Sequence, residues 1–179
     1  MTTLLLKPDE RGLAQAAELL LAGEIVAIPT ETVYGLAIRS DLGSDIYTVK
    51  GRPDDKPLSW LVHDLSAEEL EPEILKLAER HVTVILPYLG KTQGFRIPAN
   101  IFALELLKKL NQPLACTSAN LSGKPPLTDA ASVLREFNGK IAAVVDGGKC
   151  EIGVASAVVD FTVTPPIVLR YGAGLGDFS

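Results

Sequence analysis

Apolar and polar positions change period along this chain, and the changes mark its elements. Residues 9–22 place Leu13, Ala16, Ala17, Leu20 and Leu21 at helical spacing, with Gly23 as a stop. The stretch 24–29, EIVAIP, reads as a short buried strand. Ser44 is placed to cap a short helix reaching Val49 or Lys50. A strand is expected over 58–62. Ser66 and Glu69 fit a capping box ahead of a helix that Pro72 breaks or restarts. The β-branched, apolar run 82–86 predicts a further strand. Asn100 is placed to cap a helix whose apolar face holds Ile101, Leu104 and Leu107. A strand over 114–117 runs into a polar loop, and Thr128 caps a helix that Gly139 ends. Strands over 141–145, 156–161 and 166–170 follow. The opening MTTLLLKPDERG has neither a basic start nor a cleavage-like site, so it reads as a strand and not a signal peptide.

Helices and strands that alternate in this way predict an α/β (α+β) fold. The 179 residues suit a single domain over 1–179 with a full hydrophobic core. Hydrophobic residues make up 47% and charged residues 22%, which argues against disorder. No apolar run reaches the ~20 residues that span a membrane. Cys116 and Cys150 give no disulfide framework, and a reducing cytoplasm is the simplest setting. A net charge of −5 disfavours a nucleic-acid coat protein and leaves room for a local basic pocket.

Four polar segments, each with a glycine, sit where open sheets place ligands, just after strands. In PTETVYGL, residues 29–36, Thr30, Glu31 and Thr32 crowd a turn, which is either an ordinary polar turn or a binding element. In KGRPDDKP, residues 50–57, Lys50 and Arg52 with Lys56 could clasp a polyphosphate, or could simply be cations at a helix C-terminus. In TSANLSGKPP, residues 117–126, Ser118 and Asn120 could donate to phosphate oxygens or satisfy their own loop. In DGGKCEIG, residues 146–153, paired glycines suggest a close backbone approach, and Lys149 alone means little. The spacing is not that of a Walker A loop, nor is there a GxSxG or GxGxxG segment. His63 and His81 lack zinc-ligand spacing, no residue stands out as a metal ligand, and Trp60 reads as a core residue.

Taken together, PTETVYGL, KGRP with KPL, SANLSGKP, DGG with a serine before VVDF, and VLR resemble the threonylcarbamoyl-AMP synthase family, also called the YrdC or Sua5 family. The resemblance covers roughly residues 10–172 and suggests the short form without an extra C-terminal domain. It implies a twisted open sheet of mixed parallel and antiparallel strands, with helices around a large cationic cavity. The implied reaction condenses L-threonine, bicarbonate and ATP to threonylcarbamoyl-AMP and pyrophosphate, with Mg²⁺ bridging phosphates. A partner transferase would then modify an adenosine of certain tRNAs. By motif position, Lys50, Arg52, Ser118 and Asn120 would form an ATP-binding tetrad, joined by Thr83 and Arg170. Lys50 and Arg52 would serve catalysis, while Thr32, Arg96 and Ser156 would hold threonine.

The chain departs from the family pattern on the threonine side. AERHVTVIL replaces a W-P-G-P-L-T segment and keeps only Thr83, and the following loop, PYLGKTQGFRIP, is short. GVASA stands for G-V-E-S-T, so Ala155 and Ala157 replace polar residues, and Leu61 stands at a histidine position. An alternative is a divergent relative that binds nucleotide or RNA with weak or altered catalysis.

Overall fold

The computed structural model describes residues 2–51, 53, 57–65 and 70–176. Ten strands among these form one mixed sheet. In chain order they are β1 (Leu4–Leu6), β2 (Val26–Ile28), β3 (Gly35–Arg39), β4 (Ser59–Leu61), β5 (Thr83–Tyr88), β6 (Lys91–Arg96), β7 (Leu114–Ser118), β8 (Ala143–Val145), β9 (Val158–Asp160) and β10 (Ile167–Arg170). Across the sheet the order is β1-β8-β2-β3-β7-β4-β6-β5-β9-β10. The helices are α1 (Glu10–Leu21), α2 (Ser44–Lys50), α3 (Pro72–Glu79), α4 (Ile101–Leu110) and α5 (Ala130–Phe137). The expected mixed α/β architecture is therefore present.

Alternation along the strands divides the core. Val26, Ile28, Ala37, Leu114, Cys116 and Val145 face α1 and α4, packing with Leu20, Phe102, Leu106 and Leu107. The intervening Ala27, Leu36, Ile38, Ala115 and Val144 face the other way, onto Ile46 of α2 and Val133 and Phe137 of α5. Burial on both faces explains why these strands read as unbroken apolar runs. Beyond β7 the pattern changes. Val84, Leu86, Phe95 and Val159 pack on Ile74 and Leu77 of α3. Trp60, Tyr88 and Phe95 stack edge to face on the same side, with ring centroids 5.2 to 5.9 Å apart. The opposite face of this half carries small and polar side chains, and there the cavity forms.

Several boundaries differ from the pattern-based reading. Asp9 caps α1 by accepting from the Gly12 N–H at 2.8 Å. Asn100 caps α4 as expected, but Ile101 is 78% exposed and the buried face is Phe102, Ala103, Leu106 and Leu107. The cap of α5 is Asp129, not Thr128, because its carboxylate reaches the Ser132 N–H at 2.8 Å. Pro72 opens α3 as its first residue, where its missing N–H costs no hydrogen bond. Ser66 and Glu69 lie outside the described residues, as does the side chain of Ser44, which is the first residue of α2 and not its cap. Two strands were not expected. β3 follows the polar turn directly, and β6 with β5 turns the short loop into a hairpin. Pro87 fits in β5 because pairing with β9 ends at Ile85, leaving no ladder bond on that side to lose.

The Cys116 side chain of β7 lies over Gly35 of β3. A Cβ on Gly35 would stand 2.6 Å from the Cys116 sulfur, so only glycine fits. Gly35→Ala is expected to cost about 1–3 kcal/mol in urea unfolding. Adding Cys116→Ala should recover part of that loss, giving a double variant more stable than Gly35→Ala alone.

Candidate active site

The surface bearing α1 and α4 continues past β7, where no helix among the described residues covers it. Leu61 and Cys116 belong both to the α1/α4 core and to the wall of a cavity of about 720 Å³. Residues two apart on each strand share a face. Ser59 and Leu61, Thr83 and Ile85, Thr92, Gly94 and Arg96, and Cys116 and Ser118 thus line this cavity together. Thr30 and Tyr34 close one side, and Ser156, Leu169 and Arg170 close another. Gly94 keeps the floor low, since a Cβ there would press at 3.3 Å on both Ser59 and Thr83. Among the described lining residues the charges are Arg96 and Arg170, with no carboxylate, and Glu31 behind the wall balances Arg96. Arg170, the lining hydroxyls and the guanidinium N–H groups therefore suit the cavity to anions.

Three polar groups surround it. In the first, the buried Lys50 ammonium donates to the Ser118 carbonyl and, at 3.2 Å, to Asn120 Oδ1. Ser118 Oγ donates to the same Oδ1 at 2.6 Å. The Asn120 amide nitrogen donates to the Leu121 and Lys124 carbonyls, which fixes the loop after β7. Ser118 reaches the cavity, while Lys50 and Asn120 stand behind it. Arg52 and Lys56 lie outside the described residues.

In the second group, Arg96 Nη2 donates to Thr32 Oγ1 at 2.7 Å and to Glu31 Oε1. Glu31 Oε2 accepts from the Ala99 and Asn100 N–H groups at 2.9 and 3.3 Å, at the start of α4. In the third, Arg170 Nε donates to the Ser156 carbonyl at 2.9 Å and Nη2 to Ser156 Oγ at 3.3 Å. The hydroxyls of Ser156 and Thr83 share a 3.0 Å hydrogen bond. Ser156 is thus hydrogen-bonded to Thr83 and Arg170, and the β5–β6 register, with Val84 opposite Phe95, brings Thr83 beside Arg96 on the same face.

The sequence named Glu31 in the polar turn without assigning it a role, and it did not single out Tyr34. Tyr34 is fully buried, and its hydroxyl accepts from the Gly147 N–H at 3.1 Å and donates to the Gly148 carbonyl at 2.9 Å. The approach inferred from the paired glycines is to Pro29, whose ring would lie 2.6 Å from a Cβ on Gly147. The Ile152 and Gly153 N–H groups bond to the Glu31 and Thr32 carbonyls, each at 2.9 Å, clasping this loop to the turn. Of the departures from the family pattern, Ala155 and Leu61 line the cavity, whereas Ala157 packs in the α3 core.

Burial alone would raise the Glu31 carboxyl, but the Arg96 charge and the hydrogen bonds at both oxygens hold it below its ordinary value. Burial pushes Tyr34 up, and it pushes the Cys116 thiol up to about 11, so neither ionises near neutrality. Behind the turn lies a second cavity of about 550 Å³ that includes Asp9, Glu10, Glu31, Glu105 and Glu151 against one lysine, Lys149. Its acidity makes it a poor seat for a nucleotide. Among the described residues there is no cluster of His, Cys, Asp or Glu able to hold a metal, and no helix long and apolar enough to cross a membrane.

Residues 18–172 match the family of Sua5, YciO and YrdC proteins, described as "Telomere recombination". The chain belongs to this family. It is 40% identical to the threonylcarbamoyl-AMP synthase of Pyrococcus abyssi, over 88% of this chain and 53% of that protein. The threonylcarbamoyl-AMP synthase of Bacillus subtilis is 39% identical, over 93% of this chain and 55% of its own. The chain thus spans about half the length of these curated relatives. The crystal structure of P. abyssi Sua5 complexed with L-threonine superposes with a TM-score of 0.86 at 36% identity, covering 96% of this chain and 58% of that one.

Two outcomes follow from the clasp and the ion pair. Tyr34→Phe removes one acceptor and one donor from Gly147 and Gly148, whose exposed backbone groups can turn to water, and should cost about 0.5–1.5 kcal/mol in urea unfolding. Because Glu31 is held below 4.5 when folded, its contribution to stability is complete above that value and disappears as pH falls through the folded value. Urea midpoints measured from neutral pH downward should show a shallower acid limb in Glu31→Gln than in wild type.

Proposed function

We propose that this chain catalyses the synthesis of threonylcarbamoyl-AMP from L-threonine, bicarbonate and ATP, as a single domain over 1–179. The observation that carries this reading is one anion-adapted cavity with two separate polar poles. Ser118, backed by Lys50 and Asn120, stands at one, and Arg96, tied to Thr32 and Glu31, stands at the other. The names of the curated relatives agree with it.

In this reading the threonine carboxylate meets Arg96 and its flank meets Thr32, which orients the amine inward. Ser156, assigned to threonine by motif position, also belongs with Thr83 and Arg170 on the nucleotide side, and so lies where the two substrates meet. The amine takes up bicarbonate with loss of water to give a carbamate. A carbamate oxygen then attacks the α-phosphorus of ATP, an O–P bond forms, and the bond to the β-phosphate oxygen breaks with release of pyrophosphate. No side chain serves as a nucleophile. This chain's share is positioning and neutralisation of phosphate charge by Lys50, Arg52 and Arg170. The described lining offers hydroxyls and no carboxylate, so these residues would leave a Mg²⁺ ion to the substrate, where it would supply further neutralisation of phosphate charge. The product would pass to a transferase acting on tRNA, in the cytoplasm, where the free thiols Cys116 and Cys150 suit a reducing setting.

Pyrophosphate release should require threonine, bicarbonate and ATP together. Lys50→Ala should lower it by about tenfold or more, equivalent to ~1.4 kcal/mol of transition-state stabilisation. Release independent of threonine, or wild-type turnover from Lys50→Ala, would overturn the reading.

A further inference from the structure

Glu31 has no part in the chemistry above, yet it is among the most constrained polar side chains of the molecule. It is 6% exposed, and both carboxylate oxygens are engaged in different directions. Oε1 faces Arg96 and Oε2 faces the two N–H groups that open α4. Its own carbonyl accepts from Ile152, so the backbone of residue 31 is fixed as well. Arg96 is 8% exposed and reaches the cavity wall. Its Nη2 is shared between Glu31 and Thr32, and its buried Nε has no partner among the described residues. Without Glu31 a buried guanidinium would lack its counter-charge, and such a cation swings toward solvent.

We propose that Glu31 is a positioning residue for the amino-acid substrate, acting through Arg96. This rests on the reading that Arg96 receives the substrate carboxylate. By fixing Nη2, Glu31 determines which edge of the guanidinium the cavity sees. The pair is neutral overall, so the incoming carboxylate is selected by hydrogen-bond geometry more than by net charge. The task requires two acceptor oxygens on one rigid group. Glutamine has one acceptor, and its amide would set a donor against either Arg96 or the α4 N–H groups. Aspartate is a methylene shorter and cannot span both sets of donors.

The test uses the full chain and pyrophosphate release, with threonine and ATP varied separately in wild type, Glu31→Gln, Arg96→Gln and the double variant. Glu31→Gln should raise KM for threonine by about tenfold while KM for ATP stays within about twofold. The Glu31 substitution should add nothing in the Arg96→Gln background, because its effect passes through that residue. Glu31→Asp keeps the charge as a second, milder probe if Glu31→Gln does not fold, and it should raise the threonine KM with the ATP KM unchanged. Equal changes in both KM values, an unchanged or lower threonine KM, or additive effects in the double variant would overturn the proposal. An Arg96→Gln variant with a wild-type threonine KM would instead show that Arg96 is not the carboxylate site, and both proposals would fall.

Discussion

A carboxylate buried in a protein must find compensation for lost water, and in this fold that requirement organises the site. Glu31 is compensated by Arg96 on β6 and by the N–H groups at the start of α4. The turn that carries it is held by the loop 146–153 and, at Tyr34, by backbone bonds to Leu127 and Ala119. Elements far apart in sequence are thereby joined at one polar knot, between a cavity suited to anions and a second one that is acidic. The knot lies where a helix-covered sheet gives way to an open one.

That transition explains why the site can exist at all. From β8 to β7 in the sheet order helices pack on both faces, and the polar side chains Arg39, Thr117 and Ser118 stand at strand ends. From β4 to β10 one face keeps its apolar core under α3, while the other carries Thr83, Thr92, Arg96 and Ser156. The uncovered face is thus available for ligands without weakening the core beneath it. Gly94 and Gly35 let neighbouring strands and side chains approach at the floor of this space. The departures from the family pattern at Ala155 and Leu61 make the wall more apolar on this same face.

Much of this arrangement was legible in the sequence, for identifiable reasons. Helical periodicity located α1 and α4, a cap signal and a glycine stop located α5, and buried runs located β2, β7 and β8. The motifs pointed to Lys50, Ser118 and Asn120, which do meet, and to Thr32 and Arg96, which share a hydrogen bond. β6 was hidden because Lys91, Thr92, Gln93 and Gly94 give it no apolar alternation, and of these Thr92 and Gly94 line the cavity, while β3 was hidden because its short apolar run follows the polar turn without a break. The Asp129 cap was missed in favour of its neighbour Thr128, a choice that only cap geometry decides. Glu31 stood out as part of the polar turn, but its role did not, because that role depends on Arg96, sixty-five positions away.

In the proposed reaction one cavity brings an amino-acid carbamate to the α-phosphate of ATP. Mass spectrometry of the product formed with isotopically labelled bicarbonate tests this. The product should be an adenylate that contains both threonine and the labelled carbon, and that is absent when either threonine or bicarbonate is left out. An adenylate lacking threonine, or one that carries no label from bicarbonate, would contradict it.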